Sequence, residues 1–315
     1  MIADSLVLVA SLAVLMSSGD QFVVGVARLA SVMRVRPSVV GAVVGGLGAS
    51  LPELFVSGVA SLRGDPQLAV GNLVGSNVAN ICLALALAAL VAPIRVDSRT
   101  VRREAPISVA AVVLFAVLLR GGLSRLDGAL LLVALALVVP GLVANAGLEP
   151  PGDELEIEVD RFFGGRKRAR LRREVVRAGL GLAGMILGSE LLVRSASDLA
   201  ARLGIGQGFV GLTIVAVGTS APLVAISVQA ARRGHEDLVV GNVLGCNLFI
   251  ALAGGALVAF VHGGPAAAVG GVAVGLMAGT SVAAWALMAR GSRLTRWEAG
   301  ALVLAYAVSL PFLSR

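Results

Sequence analysis

Charge and aromatic rings are what this sequence has least of. Of its 315 residues, 14% are Asp, Glu, Lys or Arg and 4% are Phe, Trp or Tyr. Soluble domains carry about 25% charged residues. So few charges can neither solvate the surface of a single-core soluble enzyme nor keep a disordered chain in water, and both classes are excluded. The net charge of +7 and pI near 11.0 would suggest nucleic acid, but the missing aromatics leave nothing on which bases could stack. Cysteine is nearly absent too. Cys82 and Cys246 both lie inside apolar runs, which argues against a disulfide framework or a thiolate metal site. The two histidines, His235 and His262, fall in predicted loops. The stretch from Met1 to Ser18 has no basic region and runs on into further helix, so a cleaved leader is not expected.

What the chain has instead is apolar surface: 57% hydrophobic residues, 40 glycines and a mean hydropathy of +0.92. A helical span needs about 20 apolar residues. A closed β-barrel would alternate polar and apolar positions, whereas Ala129 to Val139 and Ile107 to Leu119 are continuous. The expected fold is therefore all-α, a polytopic membrane protein. Ten transmembrane helices are read near 5–29, 38–62, 67–94, 104–119, 126–147, 176–193, 206–231, 238–261, 265–289 and 296–313. The basic residues test that reading. With the N-terminus outside, the outer loops keep Arg63, Arg120, Arg125, Arg194, Arg202 and Arg315, and the other twenty of the 26 fall inside. The bias supports ten spans with both termini outside, in what is expected to be the plasma membrane. A central segment, 148–175, opens acidic (Asp153, Glu154, Glu156, Glu158, Asp160) and closes on the basic run RKRARLRR. It reads as a cytoplasmic linker whose basic end meets anionic headgroups.

The two halves repeat at an offset of 170 residues. GLGASLP at 46–52 answers VGTSAP at 217–222, and VGNLVGSN at 70–77 answers VGNVLGCN at 240–247. Glycines 41/211, 48/218, 64/234, 71/241 and 75/245 stay in register, as do Pro52/Pro222 and Asn72/Asn242, while GDQFVV from Gly19 loosely echoes GSELLV from Gly188 with one residue of slippage. Five spans per repeat is an odd number, so the second repeat enters the membrane from the opposite side, an architecture of secondary transporters. The expected organisation is a first five-helix repeat over 1–147, the linker, and a second over 176–315, with motif regions near 41–90 and 211–260. Each repeat carries Gly-x-Ser-x-Pro inside a span, which predicts a broken helix whose freed carbonyls and hydroxyls suit a cation.

One ionisable side chain stands away from the ends of the spans that carry the repeats: Glu53. A carboxylate at membrane depth is costly and ordinarily faces an ion or proton path. Ser50 and Ser57 share its helix face, and the next span brings Asn72, Ser76, Asn77 and Asn80. Together they form a hard-oxygen set suited to cations.

At these residues the chain resembles a known family. GASLPELFVS with GNLVGSNVAN is similar to the first α-repeat of the sodium/calcium exchangers of the Ca²⁺/cation antiporter superfamily, and GTSAPLVAIS with GNVLGCNLFI to the second. The resemblance implies an ion site on the second, third, seventh and eighth helices, served by alternating access. It implies Glu53 as the acidic ligand, Ser50 and Ser76 as hydroxyl ligands, Asn80 as an amide ligand, and Thr219 and Ser220 as partners from the second repeat. Ala49 stands where the family commonly has threonine and offers only its backbone carbonyl. The cations are substrates, namely Na⁺ with Ca²⁺ or H⁺, and no cofactor is implied. The implied partners are the lipid bilayer and inorganic cations, not nucleic acid, and the oligomeric state is left open.

The second repeat departs from the family. Leu223 stands where the family has glutamate, Ile250 where it has Asp or Asn, and Cys246 where it has serine. Ca²⁺ takes six to eight oxygens with charge compensation, and one carboxylate leaves an excess positive charge in a medium of low dielectric. The expectation is an antiporter, not an enzyme, with altered ion selectivity. The alternative is a transport-dead homologue with a structural or regulatory role in the membrane. Glu190 and the interfacial acids Asp20, Asp65, Glu236 and Asp237 are expected to stay clear of the site, and Arg194 to extend towards the headgroups.

Overall fold

The computed structural model describes residues 2–32, 37–98, 100–146, 171–262 and 270–313. The acidic half of the central segment and Arg166, Lys167, Arg168 and Arg170 of its basic run lie outside the described residues, as do Arg34 and Arg36. Helices make up nearly everything else: α1 (Ile2–Val32), α2 (Pro37–Leu62), α3 (Pro66–Val91), α4 (Ala105–Leu119), α5 (Arg125–Ala146), α6 (Leu171–Leu203), α7 (Gln207–Arg232), α8 (Glu236–His262), α9 (Gly271–Gly291) and α10 (Arg296–Leu313). Among the described residues, six stretches are long and apolar enough to cross a membrane. They are Leu6–Val26 of α1 together with α3, α6, α7, α8 and α9. The chain is an all-α, polytopic membrane protein.

Unlike a water-soluble bundle, this one is apolar outside as well as in its core. Large side chains such as Leu126, Leu137 and Leu180 point outward, where acyl chains solvate them, while the interior is rich in Ala, Gly and Ser. Lipid supplies no hydrophobic drive between helices, so they associate by close backbone approach at small residues. α3 and α8 are the most enclosed, and α2 and α7 pack beside them. α1 runs antiparallel along α6, because Gly188, Gly184, Gly181 and Ala178 meet Leu15, Ser18, Phe22 and Gly25 in turn. A Cβ on Gly181 would sit 2.5 Å from the Phe22 amide nitrogen, and one on Gly188 2.9 Å from that of Leu15. α3 meets the start of α7 the same way: Gly71 and Gly75 lie against the carbonyls of Gly208 and Leu212, and Gly211 against that of Leu68.

Two short strands close the bundle at one end. β1 (Ile94–Arg95), after α3, pairs antiparallel with β2 (Arg293–Leu294), between α9 and α10, and the Val96 amide extends the ladder to the Ser292 carbonyl at 2.9 Å. Trp285 Nε1 donates to the Val101 carbonyl at 3.0 Å.

The glycine packing predicts a position-specific effect within one helix. Gly181→Ala forces α6 away from the α1 backbone and costs about 1–3 kcal/mol. Nothing lies within 4 Å of a Cβ built on Gly179, so Gly179→Ala leaves the thermal midpoint in detergent unchanged or raises it.

Candidate functional site

The Gly-x-Ser-x-Pro segments do not break their helices. α2 is continuous through Pro52, and the helix Ala216–Arg232 within α7 through Pro222. Each proline removes one rung, leaving the carbonyl four residues earlier, at Gly48 and Gly218, without its usual donor. α1 braces both sites, with Val23 against Gly48 and Leu12 against Gly218. The irregular backbone lies elsewhere, in π-helical turns at Asn80–Leu85 of α3, Gly211–Val215 of α7 and Ile250–Gly254 of α8. The first and last of these begin 170 residues apart, in register with the sequence repeat. A π turn inserts an extra residue and re-aims the side chains around it. Asn80, at the start of one, donates through Nδ2 to Asn247 Oδ1 on α8 at 3.0 Å.

Four helices converge around Glu53, which is fully buried. Its Oε1 accepts a hydrogen bond from the Ser220 hydroxyl at 3.3 Å, and its Oε2 has no partner. Ser50, one turn earlier, lies 2.9 Å from Cys246 Sγ. On α3, Ser76 Oγ is 3.4 Å from Thr219 Oγ1. Asn72 ties three helices together. Its Nδ2 donates to the Glu53 carbonyl (3.1 Å) and to Ser57 Oγ (3.0 Å), and its Oδ1 accepts from Thr219 Oγ1 (3.3 Å). Asn247 Nδ2 donates to the Asn77 carbonyl at 3.1 Å. The structure thus buries Ser50, Glu53, Ser76, Asn80, Thr219 and Ser220 on the same four helices, with Glu53, Ser76, Thr219 and Ser220 linked through Asn72, Ser50 set against Cys246, and Asn80 tied to Asn247. Ala49 precedes Ser50 on α2, where only its carbonyl is a donor of lone pairs.

Three oxygens in this network, Glu53 Oε2, Asn77 Oδ1 and Asn80 Oδ1, are buried without a hydrogen-bond partner. All three are lone-pair acceptors. Buried acceptors without donors are rare, and a carboxylate and amide oxygens are the kind of ligand that a hard cation takes. In the second repeat, Leu223 and Ile250 are buried at the positions that match Glu53 and Asn80 of the first. Sequence reasoning did not single out Asn247, although it is the counterpart of Asn77 in the 170-residue repeat and so carried a signal.

The remaining acids are engaged elsewhere or face outward. Glu190 is bound by Arg63 and by Arg194, whose Nε lies 2.9 Å from Oε1. Arg194 therefore folds back onto its own helix rather than extending away, because a carboxylate four residues earlier offers a charged partner on the same face. Asp65 accepts from Ser197 at 3.0 Å, Glu236 accepts from the Arg95 amide, and Asp20 is exposed. Glu174, buried, is held by Arg28 (3.3 Å) and Arg177 (3.5 Å) at the other end of the α1–α6 pair.

A helical membrane bundle with unpartnered oxygens buried around an acid is an arrangement that suits the passage of ions. The profile of the sodium/calcium exchanger protein family matches residues 5–142 and 174–315. The chain belongs to that family, as a cation antiporter of the prokaryotic type whose substrates are the transported cations. It is 34% identical over 254 residues to the putative antiporter CaxA of Alkalimonas amylolytica, covering 80% of this chain and 79% of that one. It is 35% identical over 256 residues to inner membrane protein YrbG of Escherichia coli, covering 79% and 77%. The sodium/calcium exchanger MaX1 of Methanosarcina acetivorans shares 28% identity over 278 residues. The solved structure of the sodium-calcium exchanger NCX_Mj soaked with 10 mM Na⁺ superposes with a TM-score of 0.67 at 29% identity, covering 98% of each chain.

Removing the amide that links α2, α3 and α7 tests the network as a structural unit. Asn72→Ala removes three hydrogen bonds between α2, α3 and α7, while Ser57 and Thr219 keep their bonds to the Ala69 and Ala216 carbonyls, and costs about 1–3 kcal/mol, read as a lowered thermal midpoint of the purified protein.

Proposed function

We propose that this antiporter exchanges monovalent cations, Na⁺ against Na⁺ or H⁺, at a site built by Glu53, Ser50, Ser76, Asn80, Thr219 and Ser220 with the Ala49 carbonyl. The site lies between two inverted five-helix repeats, 1–147 and 176–315, joined by the linker 148–175 on the cytoplasmic side. Ten spans place both termini outside the plasma membrane, and the repeats expose the site alternately to either side.

The observation that carries this reading is the fully buried Glu53 carboxylate with one unpartnered oxygen, in a site whose second repeat has Leu223 and Ile250 at the positions matching Glu53 and Asn80. In a medium of low dielectric, one carboxylate balances one positive charge. Bound Na⁺ or a bound proton leaves the site neutral, whereas Ca²⁺ leaves an excess charge and too few oxygens. Leu223 and Ile250 remove from the second half the groups that would make up both deficits. The same two residues favour a second reading, a protein that keeps the fold for a structural or regulatory role and moves nothing.

Flux in proteoliposomes separates these outcomes. The expected result is ²²Na⁺ uptake driven by an outward sodium or proton gradient, without sodium-driven ⁴⁵Ca²⁺ uptake. Glu53→Gln, which keeps shape and loses charge, lowers sodium flux by at least about tenfold, the loss of roughly 1.4 kcal/mol or more of ion stabilisation. Calcium uptake that Glu53→Gln abolishes overturns the monovalent reading. Absence of every flux from folded protein puts the transport-dead reading in its place.

A further inference from the structure

Asp20 and Glu190 stand 170 residues apart, as do Arg63 and Arg233, which is the offset of the repeat, although the echo of Gly19 at Gly188 slips by one residue. The two arginines stand in matching turns. After α2, Gly64 adopts φ 79° and the Asp65 amide donates to the Ala60 carbonyl at 2.9 Å; after α7, Gly234 adopts φ 79° and the His235 amide donates to the Ala230 carbonyl at 3.0 Å. A left-handed residue at that point requires glycine, so both turns present their arginine in the same way. Yet only one pair exists. Arg63 bridges from its turn to Glu190 on α6, whereas Asp20 and Arg233 are both exposed and no ion pair joins them among the described residues.

The packing beside each arginine differs in the same sense. Near Arg63, Gly71 and Asn72 at the start of α3 are buried, and Gly71 abuts the Gly208 carbonyl of α7. Near Arg233, the equivalent Gly241 at the start of α8 is exposed with nothing within 4 Å of its Cβ position, and Asn242 is half-buried. One end of the helix cluster is packed and latched; the other is open and unlatched.

We propose that Asp20 and Arg233 are positioning residues that form the counterpart of the Glu190–Arg63 pair in a second conformation, so that two ion pairs are made and broken in alternation. The inference rests on the alternating-access reading above and deepens it. The latches are unequal. Glu190 also holds Arg194, whose counterpart beside Asp20 is Val24, so the conformation with Glu190 engaged is the better held, and Glu190→Gln shifts the population towards the other.

The direct test is the double variant D20C/R233C in the full chain, reconstituted in lipid and treated with a short bifunctional thiol reagent. Both native cysteines are fully buried, so the new pair is the reactive one. The expected result is a cross-link that forms several-fold faster when E190Q is added, arrests exchange and releases it on reduction. No cross-link with or without E190Q, in sodium, in calcium or in neither, overturns the proposal. Charge reversal gives an independent reading. R233E sets a like charge facing Asp20 and slows exchange by about fivefold or more, and D20R/R233E restores most of it, as expected for residues that couple directly. A double reversal no better than R233E, in protein that remains folded, overturns the pairing. Because the cross-link is read without flux, a latch that forms in a protein moving no ions would sink the antiport reading alone, and flux without a cross-link would sink the latch alone.

Discussion

The structure is organised around the isolation of one carboxylate from water and from every basic side chain. Glu53 lies on α2 beneath a proline, receives a single hydroxyl hydrogen bond from α7, and keeps one oxygen without a donor. Such a group is tolerable at membrane depth only with a proton or a cation in place of the missing partners. The amides around it are arranged accordingly. Asn72 spends its donors on the Glu53 carbonyl and Ser57, and Asn80 spends its own on Asn247, so their hydrogens turn away from the carboxylate while the Asn80 oxygen stays unclaimed. Polar groups here bind one another until only acceptors are left over.

That centre can be so compact because the helices around it meet backbone to backbone. Gly71, Gly75 and Gly211 bring α3 against α7, which is the approach that lets hydroxyls as short as those of Ser76 and Thr219 come within reach of each other. With larger residues at those positions the helix axes would separate, and side chains of this length would no longer bridge them. The glycines that raise the chain's content to 40 therefore serve the chemistry through distance, not flexibility.

Much of this was legible in the amino-acid order. Composition and continuous apolar runs imply helices in a membrane. The lone embedded acid and its neighbouring hydroxyls lead to the site, because a carboxylate in an apolar run is expensive and short polar side chains at helical spacing share a face. Three features were not legible, each for a physical reason. Proline and glycine argue for a broken helix, but α1 braces α2 and α7 from outside, and a propensity scale does not contain that neighbour. The π turns at Asn80 and Ile250 arise from the choice between two carbonyls one residue apart and leave no mark on composition. The bond from Asn80 to Asn247 spans 167 residues, and both are ordinary packing amides until a fold brings them together. Arg194 was misplaced because a charge at a helix end can reach the headgroups or its own helix with equal ease, and Glu190 decides between them.

The two-residue ladder pairs Ile94, in the first third of the chain, with Leu294, close to its end. During synthesis β1 leaves the ribosome long before β2 exists, and six further helices, α4 to α9, must follow before its partner arrives. Until then the exit of α3 carries open hydrogen-bonding groups, of which α8 takes up only the Arg95 amide through Glu236 and the hairpin of α9 and α10 takes up the Val96 amide. The last helical pair thus acts as a clasp on a structure laid down earlier, and a chain truncated before Arg293 would retain every residue of the candidate site while lacking the strand that closes its frame.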